Sequence, residues 1–155
     1  MTNANNQPLK VVPMSEAACE ELLARKHIGR LAFSFQDHVD VQPLTYVFRD
    51  RWIFGRTSDG AKLAALRHNR WVAFQVDEIR DDWNCDSVVV RGGIHLIGEG
   101  GGAEDRRLRE KAIEALKDAI PGALEDPDAA PHRTVIFGIA PHEVAGRSVR
   151  LRPVE

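Results

Sequence analysis

The sequence has few of the features that mark several large classes of protein. Lys and Arg (21) nearly balance Asp and Glu (23), so no positive excess favours binding to nucleic acid. No unbroken run of Val, Ile and Leu is longer than Val88–Val90, whereas a membrane-spanning helix needs about 18 apolar residues. Two cysteines, Cys19 and Cys85, are too few for a disulfide framework or a four-cysteine zinc site. We therefore expect neither nucleic acid nor a membrane as a partner.

The N-terminal sequence MTNANNQPLK contains no apolar stretch typical of a signal peptide, so we expect a cytoplasmic protein with reduced thiols. Hydrophobic residues make up 43% of the 155 residues and charged residues 28%, which is typical of one globular domain. We assign residues 1–13 to a flexible arm or an edge segment and residues 14–155 to the single domain. Aromatic residues make up only 6%, so the core must consist largely of aliphatic side chains.

Short strands separated by tight turns dominate the sequence. Alternating apolar residues predict strands over residues 29–35, 39–48, 52–54, 71–79, 87–99 and 134–139. Pro43 lacks an N–H, which predicts a sheet edge or a bulge at that point, and Gly92-Gly93 predicts a bulge or bend. Helices are predicted from the Ser15 N-cap to Gly29, and over residues 60–68 and 103–120.

These elements predict a mainly β domain with flanking helices. The favoured architecture is a six-stranded antiparallel split β-barrel, because closure removes exposed strand edges, and a sandwich is the alternative. A core of this size is small, so a second copy of the chain would help to bury apolar surface.

The most informative stretch is GRTSDGAKLAALRHN at residues 55–69. A strand ends just before Thr57 and Ser58, and a helix opens at Gly60 with Lys62 in its first turn. Free backbone N–H groups, two hydroxyls and one full positive charge make a natural anion site. Lysine usually avoids this position because it opposes the helix dipole. The stretch predicts a phosphate site, with an ordinary capped helix as the alternative, and it lacks the spacing of a Walker loop.

Several segments around this stretch share one order along residues 15–98: GRLAFS at 29–34, PLTY at 43–46, Thr57-x-x-Gly60-x-Lys62, VAFQVDE at 72–78, and Trp83 to Gly92. In this order they resemble the pyridoxamine 5′-phosphate oxidase-like, FMN-binding split-barrel superfamily. The nearest likeness is to its short members, which are grouped with nitroimidazole-resistance (Nim-type) proteins.

The resemblance implies a homodimer of split barrels that holds two FMN molecules at the subunit interface. Thr57, Ser58 and Lys62 would contact the FMN phosphate, and Gly60 would allow its approach. Arg30 is a further candidate for a phosphate charge.

The strand beside the flavin ring and ribityl chain would supply Gln42, Pro43, Leu44 and Thr45. Trp83 and Ser87 would approach the isoalloxazine, with the partner subunit as their expected source. An apolar strand face would shield the ring, while backbone amides and hydroxyls would bind its polar edge.

The C-terminal sequence VAGRSVRLRPVE departs from true pyridoxamine 5′-phosphate oxidases, which are longer and carry an Arg-rich signature. The expected function is therefore an FMN-dependent oxidoreductase that reduces a small planar acceptor from a nicotinamide donor. The alternatives are a non-enzymatic flavin- or haem-binding module, a deazaflavin-dependent reductase, pyridoxamine 5′-phosphate oxidase itself, or a flavin-free interaction domain.

Other reactive side chains carry weaker signals, and no catalytic residue is assigned. The six histidines lack the i, i+4 spacing of a helical metal pair, so no metal site is expected. Within the resemblance, His68 and His95 are the nearest candidates for a catalytic or haem-ligating histidine. Cys85 offers a thiol and Tyr46 a proton donor, with an inert thiol and ordinary packing as the alternatives.

Overall fold

The computed structural model describes residues 8–151, which form seven strands and three helices. The strands are β1 (Leu9–Pro13), β2 (Ile28–Phe35), β3 (His38–Arg49), β4 (Trp52–Thr57), β5 (Trp71–Asp81), β6 (Asn84–Ile97) and β7 (Val135–Leu151). The helices are α1 (Glu16–Arg25), α2 (Ala61–His68) and α3 (Gly102–Ala119).

Six of the strands close into a ring. The hydrogen-bonded order β7-β4-β3-β2-β5-β6 returns to β7, because β6 and β7 also pair, from Cys85 opposite Val149 to Ile97 opposite Ile136. All of these pairings are antiparallel. Closure satisfies the backbone groups that an open sheet would leave unpaired at its edges. The predicted mainly β antiparallel barrel is confirmed.

The predicted number of strands is wrong, because β1 is a seventh strand. β1 lies outside the ring and pairs with the end of β7, with Leu9 opposite Leu151 and Pro13 opposite Arg147. Residues 9–13 therefore form the edge segment rather than a flexible arm, and residues 1–7 of the predicted arm lie outside the described residues. β7 is also longer than the strand predicted over residues 134–139, because its later part is held between β6 and β1.

Two element boundaries differ from the prediction for local reasons. α1 ends at Arg25, before the predicted end at Gly29, which belongs to β2. A Cβ at Gly29 would lie 2.2 Å from the Phe74 ring, so this glycine permits close packing rather than ending the helix. The strands predicted over residues 71–79 and 87–99 extend to a tight hairpin between β5 and β6, in which Asp81 accepts hydrogen bonds from Trp83 N (2.8 Å) and Asn84 Nδ2 (2.9 Å).

The predicted irregularities in the strands are confirmed. β4 pairs with β3 only from Tyr46 to Arg49, so Pro43 lies in the half of β3 that pairs with β2 alone. The register between β6 and β7 shifts between Arg91 and Gly92, at the predicted bulge.

The larger of two hydrophobic clusters fills the barrel interior. α1 and α2 each contribute a pair of leucines to it, Leu22 with Leu23 and Leu63 with Leu66. Each fully buried leucine contributes about 1.5–3 kcal/mol. α3 packs on the outside of the sheet over the second cluster, mainly through Ala112, Ala115 and Leu116. The buried leucines of α2 fix the start of this helix beside the end of β4.

Candidate functional site

Two of the predicted site residues, Lys62 and Gln42, are in direct contact although they lie on different elements. Lys62 Nζ donates a hydrogen bond to Gln42 Oε1 at 2.7 Å. Lys62 is half-buried in the first turn of α2, and Gln42 is half-buried on β3. An amide oxygen carries no net charge, so this contact orients the ammonium group without neutralising it.

The charge of Lys62 is not balanced by a neighbouring acid. No carboxylate within residues 8–151 forms an ion pair with it. Burial, followed by the positive charge of Arg133, lowers the pKa of Lys62 below its usual value. Both causes disfavour the ammonium form, and an anion bound beside Lys62 would offset both.

The start of α2 is open. Gly60 occupies the N-cap without a side-chain cap, and no acidic residue lies in the first turn. Apart from Gly60 and its two chain neighbours, no residue has a heavy atom within 4 Å of the place that a Cβ at Gly60 would take. The first N–H groups of a helix have no acceptor within it. An open helix start beside an unbalanced lysine supplies the donors that a phosphate requires, so these residues fit a phosphate group.

Thr57 and Ser58 lie where β4 leads into α2, as predicted. Thr57 is the last residue of β4, where it pairs with Val135 of β7 and is 4% exposed, and Ser58 is half-buried after it. Both hydroxyls therefore belong to the segment that leads directly into the open start of α2.

The predicted residues on β3 divide by face. Leu44 is buried in the barrel interior, so it could offer a ligand only its backbone. Pro43 is exposed and Thr45 is half-buried on the opposite face, because side chains alternate along a strand.

Thr45 lines a cavity of about 200 Å³ between the barrel and the segment that follows α3. Its other polar side chains belong to Arg56 and Arg133, and the rest of its lining is Leu116, Ile120, Pro121, Ala123, Ala129 and Ala130.

Arg56 ties this segment to the barrel. It is buried at the end of β4, just before Thr57, and forms a two-pronged ion pair with Asp128, with N–O distances of 2.7 and 3.0 Å. The Arg56 guanidinium lowers the pKa of Asp128 from its usual 3.8 to about 2, and the N–H of Ala130 adds to the effect. Asp128 also accepts a hydrogen bond from Ala130 N at 2.9 Å.

Sequence patterns do not single out Arg56, Asp128 or Arg133. The segment after α3 has no regular secondary structure and no periodic pattern, and the motifs that carry the family resemblance all lie within residues 15–98. The one available signal is the position of Arg56, directly before the predicted phosphate motif.

Trp83 and Ser87 lie away from Lys62 within one chain. Trp83 is 53% exposed at the tip of the β5–β6 hairpin, and Ser87 lies on β6. In the ring order β7-β4-β3-β2-β5-β6, β6 lies three strands from β3 in either direction, which is the opposite side of the barrel. One chain therefore does not bring Trp83 or Ser87 together with the residues of β3 and α2.

Arg30 belongs to another group of polar residues. It forms an ion pair with Asp77 at 3.0 Å and donates to Gln75 Oε1 at 3.1 Å. Gln75 in turn donates to Ser87 Oγ at 3.2 Å. Asp77 balances the charge of Arg30, so Arg30 is not a free cation for a phosphate.

Tyr46 has a structural role. Its side chain is fully buried, its hydroxyl donates to the backbone oxygen of Leu23 at 2.7 Å, and burial raises its pKa. The packing interpretation therefore holds for Tyr46.

The histidine and cysteine candidates lie apart from one another. His68 lies edge-on to Phe35 and His95 edge-on to Trp52, both on exposed positions. Cys85 is a half-buried free thiol. Within residues 8–151, no group of three His, Cys, Asp or Glu side chains could hold a metal, and no helix is long and apolar enough to cross a membrane.

The fold and the site together define a split-barrel protein with an unbalanced lysine at an open helix start. A family model described as pyridoxamine 5′-phosphate oxidase matches residues 15–148, and the chain belongs to this family. The superfamily resemblance is confirmed.

Solved structures agree with this membership. An FAD-binding protein from Mesorhizobium loti is 29% identical, with 89% of this chain and 97% of that chain covered and a TM-score of 0.69. A proposed 5-nitroimidazole antibiotic resistance protein from Bacteroides thetaiotaomicron has a TM-score of 0.70 over 96% of this chain and 93% of that chain. At 16% identity, it shows a shared fold alone.

An uncharacterised protein of Rhizobium meliloti (strain 1021) is 25% identical over 142 residues, which cover 87% of this chain and 93% of that protein. The match extends over nearly the whole of both chains.

Proposed function

We propose that the protein binds a flavin nucleotide through its phosphate and uses it in an oxidoreductase reaction. The observation that carries the proposal is Lys62, a half-buried cation without a carboxylate partner at the open start of α2. Thr57 and Ser58 supply hydroxyl donors from the adjoining segment, and Gly60 leaves room for a bulky anion. Membership of the pyridoxamine 5′-phosphate oxidase family supports a flavin as the source of that phosphate.

FMN is the favoured flavin, because a single phosphate matches the single lysine at the start of α2. FAD is the second candidate, since the 29% identical relative from Mesorhizobium loti is an FAD-binding protein. Both ligands share the flavin ring and the first phosphate, so the same residues of this chain would hold them.

The bound flavin would supply hydride transfer between a nicotinamide donor and a small planar acceptor. The protein residues would hold and shield it. The exposed Pro43, half-buried Thr45 and the backbone of Gln42 and Leu44 would lie along the ring and ribityl chain. Lys62 would keep its contact with Gln42 or exchange it for the phosphate.

A second copy of the chain would complete the site. The outer face of β2, β3 and β5 exposes Ile28 (63%), Val39 (77%), Val41 (64%), Trp71 (51%) and Ile79 (67%). Large exposed apolar faces mark interaction surfaces, and a two-fold dimer places the same face on both copies. Trp83 and Ser87 lie on the opposite side of the barrel from β3 in one chain. A partner subunit would therefore bring its own Trp83 and Ser87 to the flavin ring.

The test is an absorption spectrum of the purified full-length protein, followed by titration with FMN, FAD and riboflavin under fluorescence detection. We expect saturable binding of FMN or FAD at one ligand per chain and weaker binding of riboflavin, which lacks the phosphate. Failure to bind any of the three would overturn the proposal, and the spectrum would reveal haem or a deazaflavin instead. Oxidation of NAD(P)H with a quinone or nitro acceptor by the loaded protein would establish turnover, and its absence would leave a flavin-binding module.

A further inference from the structure

A second cation without an acidic partner within the described residues, Arg133, lies two residues before Val135, which pairs with Thr57 of the predicted phosphate motif. Arg133 lies at the end of the segment after α3 and lines the same cavity as Thr45. It is half-buried, and no carboxylate within the described part of the chain forms an ion pair with it. Its charge is near enough to disfavour the ammonium form of Lys62. Two like charges in proximity destabilise each other unless an anion lies between them.

The barrel holds Arg133 in this place. The buried Arg56–Asp128 ion pair fastens the segment after α3 to the end of β4. Asp128 then accepts from Ala130 N, and the backbone oxygen of Arg133 lies 3.5 Å from Arg56 Nη1. The charge of Arg56 is thus balanced by Asp128, and Arg56 acts as a positioning residue. The guanidinium of Arg133 remains available to bind an anion.

We infer that Arg133 is a second phosphate-binding residue of the proposed flavin site and holds the ligand together with Lys62. The inference rests on the proposed function and assigns to the segment after α3 a role that the sequence motif does not contain. A guanidinium presents a fork of N–H donors that suits a phosphate, whereas Lys62 supplies a point charge. Arg30, the other cation considered for this role, is already paired with Asp77.

Both candidate flavins carry the phosphate group that this site would bind. FMN has one phosphate and FAD has two. In the first case Arg133 and Lys62 bind the same phosphate. In the second case Lys62 binds the phosphate next to the ribityl chain, and Arg133 binds the second one beside the cavity. The two cases predict different responses to the two flavins.

The experiment measures the dissociation constants of FMN, FAD and riboflavin for the full chain and for Arg133→Gln, Lys62→Gln and the double variant. Arg107→Gln is the matched control, because this substitution removes the same charge. Arg107 is exposed on α3 and has no ion pair within residues 8–151. We expect Arg133→Gln to raise the dissociation constant of a phosphate-bearing flavin by about tenfold. Riboflavin affinity should be unchanged in Arg133→Gln, and Arg107→Gln should match the wild type for every ligand.

Each outcome decides a specific point. Weaker FMN and FAD binding in Arg133→Gln supports a shared phosphate, and weaker FAD binding alone supports the second phosphate. Unchanged affinity for both flavins, with Lys62→Gln still impaired, overturns the role of Arg133 and leaves the proposed function standing. An equal loss of riboflavin affinity also overturns it, because Arg133 would then act only on the shape of the segment. A wild-type chain that binds no flavin overturns the proposed function and the inference with it.

Discussion

Lys62 Nζ donates to Gln42 Oε1 at 2.7 Å, and this contact joins the first turn of α2 to the singly paired half of β3. The lysine is thereby oriented by a neutral group, while its charge remains unbalanced. Replacement of that neutral partner by an acid is the most direct way to test whether the unbalanced charge matters.

Gln42→Glu is expected to weaken FMN binding by about tenfold or more, because a carboxylate would pair with Lys62 and repel the phosphate. The two side chains have nearly the same shape, so the packing of β3 should be retained. Fluorescence titration with FMN measures the effect, and riboflavin provides the comparison because it carries no phosphate. If Gln42→Glu bound FMN as tightly as the wild type, the phosphate would not lie at Lys62.

Asp128 gives the protein a predictable response to acid. Its pKa is depressed to about 2 in the folded protein from the usual 3.8, so its pairing with Arg56 stabilises the fold fully above about pH 4. This contribution is lost as the pH falls towards 2. Asp128→Asn should therefore melt at a lower temperature than the wild type at pH 7, and the difference should shrink between about pH 4 and pH 2.

Thermal unfolding followed by circular dichroism across that pH range is the measurement. Asp118→Asn is a suitable control, because Asp118 pairs with Arg49 at 3.0 Å but is 59% exposed at its side chain. Exposed pairs of this kind contribute little. A constant difference between wild type and Asp128→Asn down to pH 2 would contradict the assigned pairing.

Substitution of Tyr46 tests whether this residue has a structural or a catalytic role. Tyr46→Phe removes the buried hydrogen bond to the Leu23 carbonyl oxygen and should lower the free energy of unfolding by about 1–2 kcal/mol. Flavin affinity should not change, because the hydroxyl points to α1 rather than to Lys62. Urea unfolding and an FMN titration of the same variant test both parts, and loss of turnover without loss of stability would restore Tyr46 as a proton donor.

The parts of the fold that follow from local pattern are predictable from the sequence. The leucine pairs of α1 and α2, the edge position of Pro43 and the bulge at Gly92 all depend on residues close together in the chain. The ring closure between β6 and β7 depends on distant pairing, and the polar end of β7 shows no strong alternation. The length of β7 and the pairing of β1 with it could therefore not be predicted from a local pattern.

The site divides in the same way. Thr57, Ser58, Gly60 and Lys62 lie within one short segment, so a motif can find them. Arg133 reaches the same region because Val135 pairs with Thr57 and because Arg56 pairs with Asp128 across 72 positions of sequence. No sequence pattern around Arg133 predicts that pairing. A charge brought in by a long-range ion pair can be found only once the fold is known.

The exposed face of β3 provides the test of the proposed dimer. Val41 is 64% exposed, so Val41→Glu should leave the single chain folded. If a second copy covers this face, the new carboxylates would be buried against apolar side chains without partners, and the dimer should dissociate. Light scattering should then report the mass of one chain, and FMN affinity should fall because Trp83 and Ser87 of the partner are withdrawn.

Val11→Glu is the matched control, because Val11 is 59% exposed on β1, outside the ring. It introduces the same charge into a strand that is not part of the proposed interface, so its mass and its FMN affinity should equal those of the wild type. Circular dichroism of both variants confirms folding. A Val41→Glu chain that kept the mass of two subunits would place the interface elsewhere, and a monomer with unchanged FMN affinity would show that one chain holds the flavin alone.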